Sequence, residues 1–395
     1  MLSVLQVTPE LNAGGVERTT IEMAEAISRA GGLALVASAG GRLEPDLEAT
    51  GGELIRLPVD SKNPLTIALN AQRLAAIIKK RGVQIVHARS RAPAWSALMA
   101  ARMTGVSFVT TFHGIYNGRR GLKRFYNSVM ARGDIVIANS EYTREHILEH
   151  YDVMPERVVA IPRGADLQQF DRAKVGAGEI GAMRTLWNIS SKDARCVVIA
   201  PARLTRWKGQ LVLIEAVRMI EERRPGALKL IIAGDAQGRT SYLQEMVAAI
   251  KAAGLQETVA IVGHVDKMPV AFAASDIAVF PVTEPEAFGR GAVEAQAMGV
   301  PVIASNMGGF TETIVEGETG FLAPPGVSVA LASVMERLLD FSPHARSAMG
   351  RLGQARARAL YSTAALQEAT LGVYQRVLSA AEARAAGNTQ SGMAL

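Results

Sequence analysis

The sequence predicts an α/β protein built from two doubly wound, parallel-sheet domains. Three observations carry this reading. Short apolar, β-rich runs alternate with amphipathic helical patterns along almost the whole chain. The alternation lapses over residues 173–193 and then restarts. The length, 395 residues, also exceeds what one hydrophobic core usually holds.

In the first half the strand-like runs fall at residues 2–7, 33–38, 84–88, 108–112, 135–139 and 158–161. Helical patterns at 16–29, 65–81, 93–104 and 142–150 separate them. In the second half, strand-like runs recur at 195–200, 228–233, 259–262, 277–280 and 302–304. The aperiodic stretch 173–193, which includes GAGEIGA, reads as a linker. The expected domains are therefore 1–180 and 181–362, with a helix at 363–384 and a disordered tail at 385–395 (AAGNTQSGMAL).

Composition narrows the class. Apolar residues make up 49% and charged residues 20%, as in globular proteins. Uncharged stretches such as 319–335 are too short and too interrupted by glycine and proline to span a bilayer. MLSVLQVTPE lacks a basic leader and reads as a first strand, so the expected location is cytoplasmic. The one cysteine, Cys196, sits in the apolar run CVVIAPA and reads as a small buried hydrophobe.

The net charge of +6 is uneven. Residues 1–192 hold 24 basic against 18 acidic side chains, whereas residues 193–395 hold 19 of each. The first half therefore suits an anionic partner. No nucleic-acid motif or aromatic–basic platform accompanies it, so nucleic acid is not expected. A membrane surface or a phosphorylated acceptor fits better, and an incidental solvated surface is the alternative.

The most informative segment is 284–322, EPEAFGRGAVEAQAMGVPVIASNMGGFTETIVEGETGFL. Glu286 falls in a loop after an apolar strand, and Glu294, eight positions on, falls about one turn into the next helix. A glycine turn opens that helix and points its positive end at the loop, which suits an anion such as a diphosphate. Two carboxylates beside an anion are better read as acceptors for sugar hydroxyls than as phosphate ligands. The pattern suits a nucleotide sugar.

This segment resembles the E-x7-E signature of the retaining GT-B glycosyltransferases of family 4. The matching context runs through AMGVPVIAS, the pair Gly308-Gly309 and EGETGFL, and further matches extend along nearly the whole chain. The resemblance implies two Rossmann-like domains facing across a cleft, with the last helix crossing back onto the first domain. Ligands of open α/β sheets bind beyond the carboxyl ends of the strands, so that cleft is the expected site.

Further residues follow from the resemblance. In ARLTRWKGQ, Arg203 and Lys208 match the basic pair that holds the donor diphosphate. Arginine contacts two phosphate oxygens at once, and lysine acts as a point charge. Glu294 takes the ribose and Glu286 the donor hexose, with Phe288 and Gly289 offering backbone amides. Gly234, Asp235, His264 and Val265 occupy turns on the donor side. In the first half, Gly14 and Gly15 follow the first strand, and His113 in TTFHG follows a later one, where it would contact a donor-sugar hydroxyl. IPRGAD carries Arg163 where the family's turn usually has asparagine, and GGFTE lacks a proline often found there.

The cationic run Arg119, Arg120, Lys123 and Arg124 is expected to meet an anionic acceptor or an anionic membrane surface. No D-x-D metal motif lies in a suitable loop, so neither metal nor cofactor is expected. The expected activity is retaining transfer of a hexose from a nucleotide-sugar donor to a glycan, lipopolysaccharide-core or lipid-linked acceptor. A sugar-nucleotide epimerase of the same fold and a non-catalytic glycan- or nucleotide-binding protein are the rivals.

Overall fold

The computed structural model describes residues 1–12, 14–116 and 121–392, with side chains to residue 384. Arg119 and Arg120 lie outside the described residues.

The chain forms two compact units, Met1–Pro162 with the stretch from Thr363 onward, and Arg163–Ser362. The first holds β1 (Ser3–Val7), β2 (Leu33–Ser38), β3 (Glu53–Arg56), β4 (Ile85–Ala88), β5 (Ser107–Phe112), β6 (Ile135–Ala138) and β7 (Val158–Ala160). They make one parallel sheet in the order β3-β2-β1-β4-β5-β6-β7. The second holds β8 (Cys196–Pro201), β9 (Leu228–Ala233), β10 (Val259–Gly263), β11 (Ile277–Phe280), β12 (Val302–Ser305) and β13 (Gly320–Ala323). Its order, also parallel, is β10-β9-β8-β11-β12-β13. Each sheet is thus the doubly wound, Rossmann-like type that the alternating pattern predicts.

Central strands such as SVLQV and LKLIIA are buried at every position, because helices cover both faces of a parallel sheet. In the first unit one layer joins Val86, Phe108 and Phe112 to Leu74, Ile78 and Ala97 from helices Pro64–Arg81 and Arg91–Thr104. The opposite layer joins Val4, Val36 and Ile137 to Ile21 and Ile27 of helix Gly15–Arg29 and to Val373 and Val377 of the last helix. Each such aliphatic side chain contributes roughly 1.5–3 kcal/mol by leaving water.

The division differs from the expected boundary at 180. It falls after Pro162, because the following residues pack on the second unit. Ala165 N–H donates to Tyr361 O at 2.7 Å, and the Phe170 and Phe272 rings lie 6.3 Å apart. The stretch expected as linker contains helix Ala177–Leu186, followed by buried Trp187 and Ile189. No residue of that helix is fully buried and two are glycine, and only half-buried Ile180 and Met183 pack it on the core, a short apolar stripe.

Two edge strands, β3 and β13, also escape the sequence pattern, being only four residues each (ELIR and GFLA). The last helix runs Thr363–Gly392, past the expected end at 384. It is anchored to the first unit by Tyr374, which is fully buried with its hydroxyl 2.6 Å from His87 Nδ1. His87 Nε2 lies 2.7 Å from Thr111 Oγ1, so the imidazole is satisfied on both sides. Burial holds its pKa well below the usual range and keeps it neutral.

Candidate active site

In the second unit the strand order reverses direction between β8, which leads to β9, and β11, on its other side. Open α/β sheets bind ligands at such a switch, beyond the carboxyl ends of the strands. The loop after β8 carries Arg203 and Lys208, and the loop after β11 carries Glu286, Phe288 and Gly289. The sheet therefore brings together, from sites 78 residues apart in sequence, the Lys208 ammonium and the Glu286 carboxylate as an ion pair.

Both side chains are partly buried, with 15% and 25% exposed, so the pair is shielded from water on most sides. Lys208 Nζ also lies 4.1 Å from the centroid of the Trp207 ring, whose face favours a cation. A single 3-10 turn, Arg206–Lys208, sets the lysine, and Gly209 then starts helix Gln210–Arg223 at φ +74°. A side chain at Gly209 would place its Cβ 1.7 Å from Pro281 O, so glycine is what lets the two loops meet. Thr283 N–H donating to Trp207 O at 2.8 Å ties them.

The β11 loop is fixed from the other side by Gly308 and Gly309. Gly309 N–H donates to Glu286 O at 2.7 Å, and a Cβ on Gly308 would sit 2.2 Å from that oxygen. Phe288 is buried, its ring edge-on to Tyr361. Gly289 caps helix Arg290–Ala297 with a backbone only, leaving the first amides of that helix without a side-chain cap.

Glu294, the fifth residue of that helix, accepts a hydrogen bond from Arg290 Nε at 2.8 Å. Burial raises its carboxyl pKa, while Arg290 and Arg163 pull it down. The i,i+4 spacing of Arg290 and Glu294, a pairing signal on a helix, is visible in the sequence. Arg163 beside Glu294 had no sequence signal, since 131 residues separate them.

The remaining residues assigned from sequence divide between the units. Arg203 is exposed, and its guanidinium has no ion-pair partner among the described residues. Arg206 points away and binds Glu245 at 3.0 Å. Gly234 and Asp235 follow β9 beside the β8 loop, where Leu204 N–H donates to Asp235 O at 3.1 Å. His264 is largely exposed, 3.1 Å from Asp266, and Val265 packs on the core. Gly14, Gly15, His113, Lys123 and Arg124 belong to the first unit. There, Gly14 and Gly15 follow β1, and half-buried His113 follows β5. Arg18 pairs with Asp46 at 3.2 Å. Buried Cys196 has its thiol pKa pushed up to about 12 by burial.

Among the described residues, no helix is long and apolar enough to cross a membrane.

Residues 186–356 match the family model "Glycosyl transferases group 1", and residues 13–169 match "Glycosyltransferase Family 4". Among curated proteins, the D-inositol 3-phosphate glycosyltransferase of Corynebacterium aurimucosum is 30% identical over 220 residues, 55% of this chain and 51% of that protein. The match thus spans about half the length of such relatives. Among solved structures, a glycosyltransferase from Rickettsia africae is 34% identical, with a TM-score of 0.88 over 95% of this chain and 98% of that one. Anabaena HepE, solved in complex with UDP and glucose, shares the fold at 23% identity and a TM-score of 0.80, over 95% and 100% of the two chains. The 34% identity to the Rickettsia glycosyltransferase over nearly its entire length, with a glycosyltransferase model on each half, makes the chain a member of the GT-B glycosyltransferases.

Proposed function

We propose that the chain is a retaining, metal-independent hexosyltransferase that uses a nucleotide-sugar donor. The observation that carries this reading is the Lys208–Glu286 pair at the β8/β11 switch, with Arg203 in the same loop as the lysine. Such a pair has the charges that a sugar diphosphate needs. The diphosphate would draw Lys208 and Arg203, and the sugar hydroxyls would donate to the Glu286 carboxylate.

In this reading Glu294, oriented by Arg290, accepts from the ribose hydroxyls. The Phe288 and Gly289 amides, with Gly234, Asp235, His264 and Val265, complete the donor contacts. On the first unit, the same reading gives a sugar-hydroxyl contact to His113 and backbone contacts to Gly14 and Gly15. The acceptor oxygen forms its bond to the anomeric carbon as the bond from that carbon to the diphosphate breaks. A departing phosphate oxygen takes the acceptor's proton. Arg203 and Lys208 neutralise the charge that builds on the leaving group, a form of stabilisation worth roughly 3–4 kcal/mol per donor in comparable sites. Attack from the face the diphosphate leaves gives retention.

The acceptor proposed is a glycan, lipopolysaccharide core or lipid-linked sugar, with Lys123 and Arg124 on the acceptor or membrane side. The curated relatives carry D-inositol 3-phosphate in their names, which adds a phosphorylated polyol to the acceptors to assay. Incubating the chain with a panel of nucleotide sugars, with and without acceptors and with and without EDTA, tests the reading. Release of free nucleoside diphosphate coupled to acceptor glycosylation supports it. Epimerised donor without transfer, or binding without turnover, would replace it with one of the rivals. An inverted anomer by NMR would remove retention, and loss of activity in EDTA would remove metal independence.

A further inference from the structure

The first unit has its own switch point, between β1 and β4, and a cavity of about 680 Å³ opens there. Lys62, from the loop after β3, Arg91, at the start of helix Arg91–Thr104, and Lys123, on helix Gly121–Ser128, all line it. Against these three cations stands one carboxylate, Asp60. No ion pair involves any of the four among the described residues, so the cavity keeps a net positive charge.

Three further features point the same way. Helix Arg91–Thr104 begins at the cavity, and its N-cap, Ser90, makes no side-chain cap, so the first amides face outward with the positive end of the helix dipole. Tyr126 also lines the cavity, and its buried hydroxyl has no hydrogen-bond partner among the described residues. Buried hydroxyls are rarely left so, and a ligand oxygen would satisfy this one. Arg91 is pre-oriented, donating to Asn127 Oδ1 at 2.9 Å and lying 4.4 Å over the Tyr116 ring.

We propose that this cavity is a phosphate subsite for the acceptor, with Lys62, Arg91 and Lys123 as its charge partners and Tyr126 as a neutral donor. Asp60 accepts a hydroxyl next to the phosphate, so the class of ligand is a phosphorylated polyol. The role as acceptor site rests on the transferase reading above; the anion site itself does not. The phosphate has two candidate sources, a soluble phosphate ester and a phospholipid headgroup. Leu122, 89% exposed on the same helix as Lys123, gives the second source an apolar neighbour.

The test uses the full chain, calorimetric titration with glycerol 3-phosphate and with inorganic phosphate, and flotation on phosphatidylcholine vesicles with and without phosphatidylglycerol. UDP is titrated in parallel. Lys62 and Lys123 are exposed, so K62A and K123A are expected to fold, which thermal unfolding checks. Each should weaken phosphate-ester or headgroup binding about tenfold and leave UDP binding unchanged. Binding of the soluble ester assigns the first source, and flotation alone assigns the second; either supports the subsite if the variants lose it. Equal binding by native chain and the K62A/K123A double variant overturns it, as does a native chain that binds UDP but no phosphate probe. A chain that binds the phosphate probes through these lysines but no nucleotide keeps the subsite and removes the transferase reading.

Discussion

The Lys208 ammonium and the Glu286 carboxylate neutralise each other across the gap between the β8 and β11 loops. Two groups proposed to grip opposite ends of a donor thus also hold one another. In the proposed function the diphosphate would draw Lys208 and the sugar hydroxyls would donate to Glu286, so each would exchange one partner for another. Each side chain offsets the charge of the other where both are partly buried, so removing either leaves its partner uncompensated.

Glu286→Gln should therefore separate binding from turnover. With the carboxylate gone, Lys208 is free for a diphosphate, and UDP should bind several-fold more tightly by calorimetry. Transfer should fall roughly ten- to a hundredfold, because an amide oxygen accepts less strongly from the sugar hydroxyls than a carboxylate. A weaker affinity for UDP in this variant would contradict the exchange.

Arg203→Ala and Lys208→Ala should both act mainly on kcat. Removing one preorganised cation from a developing negative charge costs roughly 3–4 kcal/mol, or a rate loss on the order of 10²–10³. The lysine variant should also lose some stability, since it leaves Glu286 partly buried without its partner. Steady-state kinetics and denaturant unfolding on the same samples distinguish the two effects.

Glu294→Gln should change the pH dependence of stability. Burial raises the Glu294 pKa above its ordinary 4.5, against the opposing pull of Arg290 and Arg163. The native state then holds the proton more readily than the unfolded chain, so this group's contribution is complete below the ordinary value and is lost as pH rises through the raised one. The amide does not titrate. The Tm of the variant should gain on that of the native chain as pH is raised from about 4 to about 7. In the same variant, UDP should bind more weakly, while a dideoxyribose analogue should bind the two chains alike.

Tyr374→Phe tests the anchor of the last helix. It strips the buried His87 Nδ1 of its partner without leaving a large cavity, at a cost of roughly 1–3 kcal/mol. Tyr374→Ala adds the cavity and should cost roughly 3–5 kcal/mol. Urea unfolding measures both, and limited proteolysis should cut the C-terminal helix sooner in the alanine variant.

Much of the second unit was legible because its strands are apolar runs and its turns are marked by glycine. The tight approaches at Gly209 and Gly308 show why those glycines stand there. Helix Ala177–Leu186 and strands β3 and β13 were not legible, being short, half-buried or at an edge, where the apolar pattern fades. The boundary was misplaced for the same reason. Its position depends on Ala165 and Phe170 finding partners in distant parts of the second unit.

The sequence by itself determined the kind and order of the main elements, the loops that carry Arg203, Lys208 and Glu286, the helix that carries Glu294, and the excess of basic residues in its first half. Those features are local, written in hydrophobic period, turn chemistry and charge. Only the tertiary structure decided that Lys208 meets Glu286, that Arg163 flanks Glu294, and that Lys62, Arg91 and Lys123 share a cavity. Such meetings depend on which strands lie side by side, and strand order is set by how whole sheets and helices pack, which no short window of sequence records.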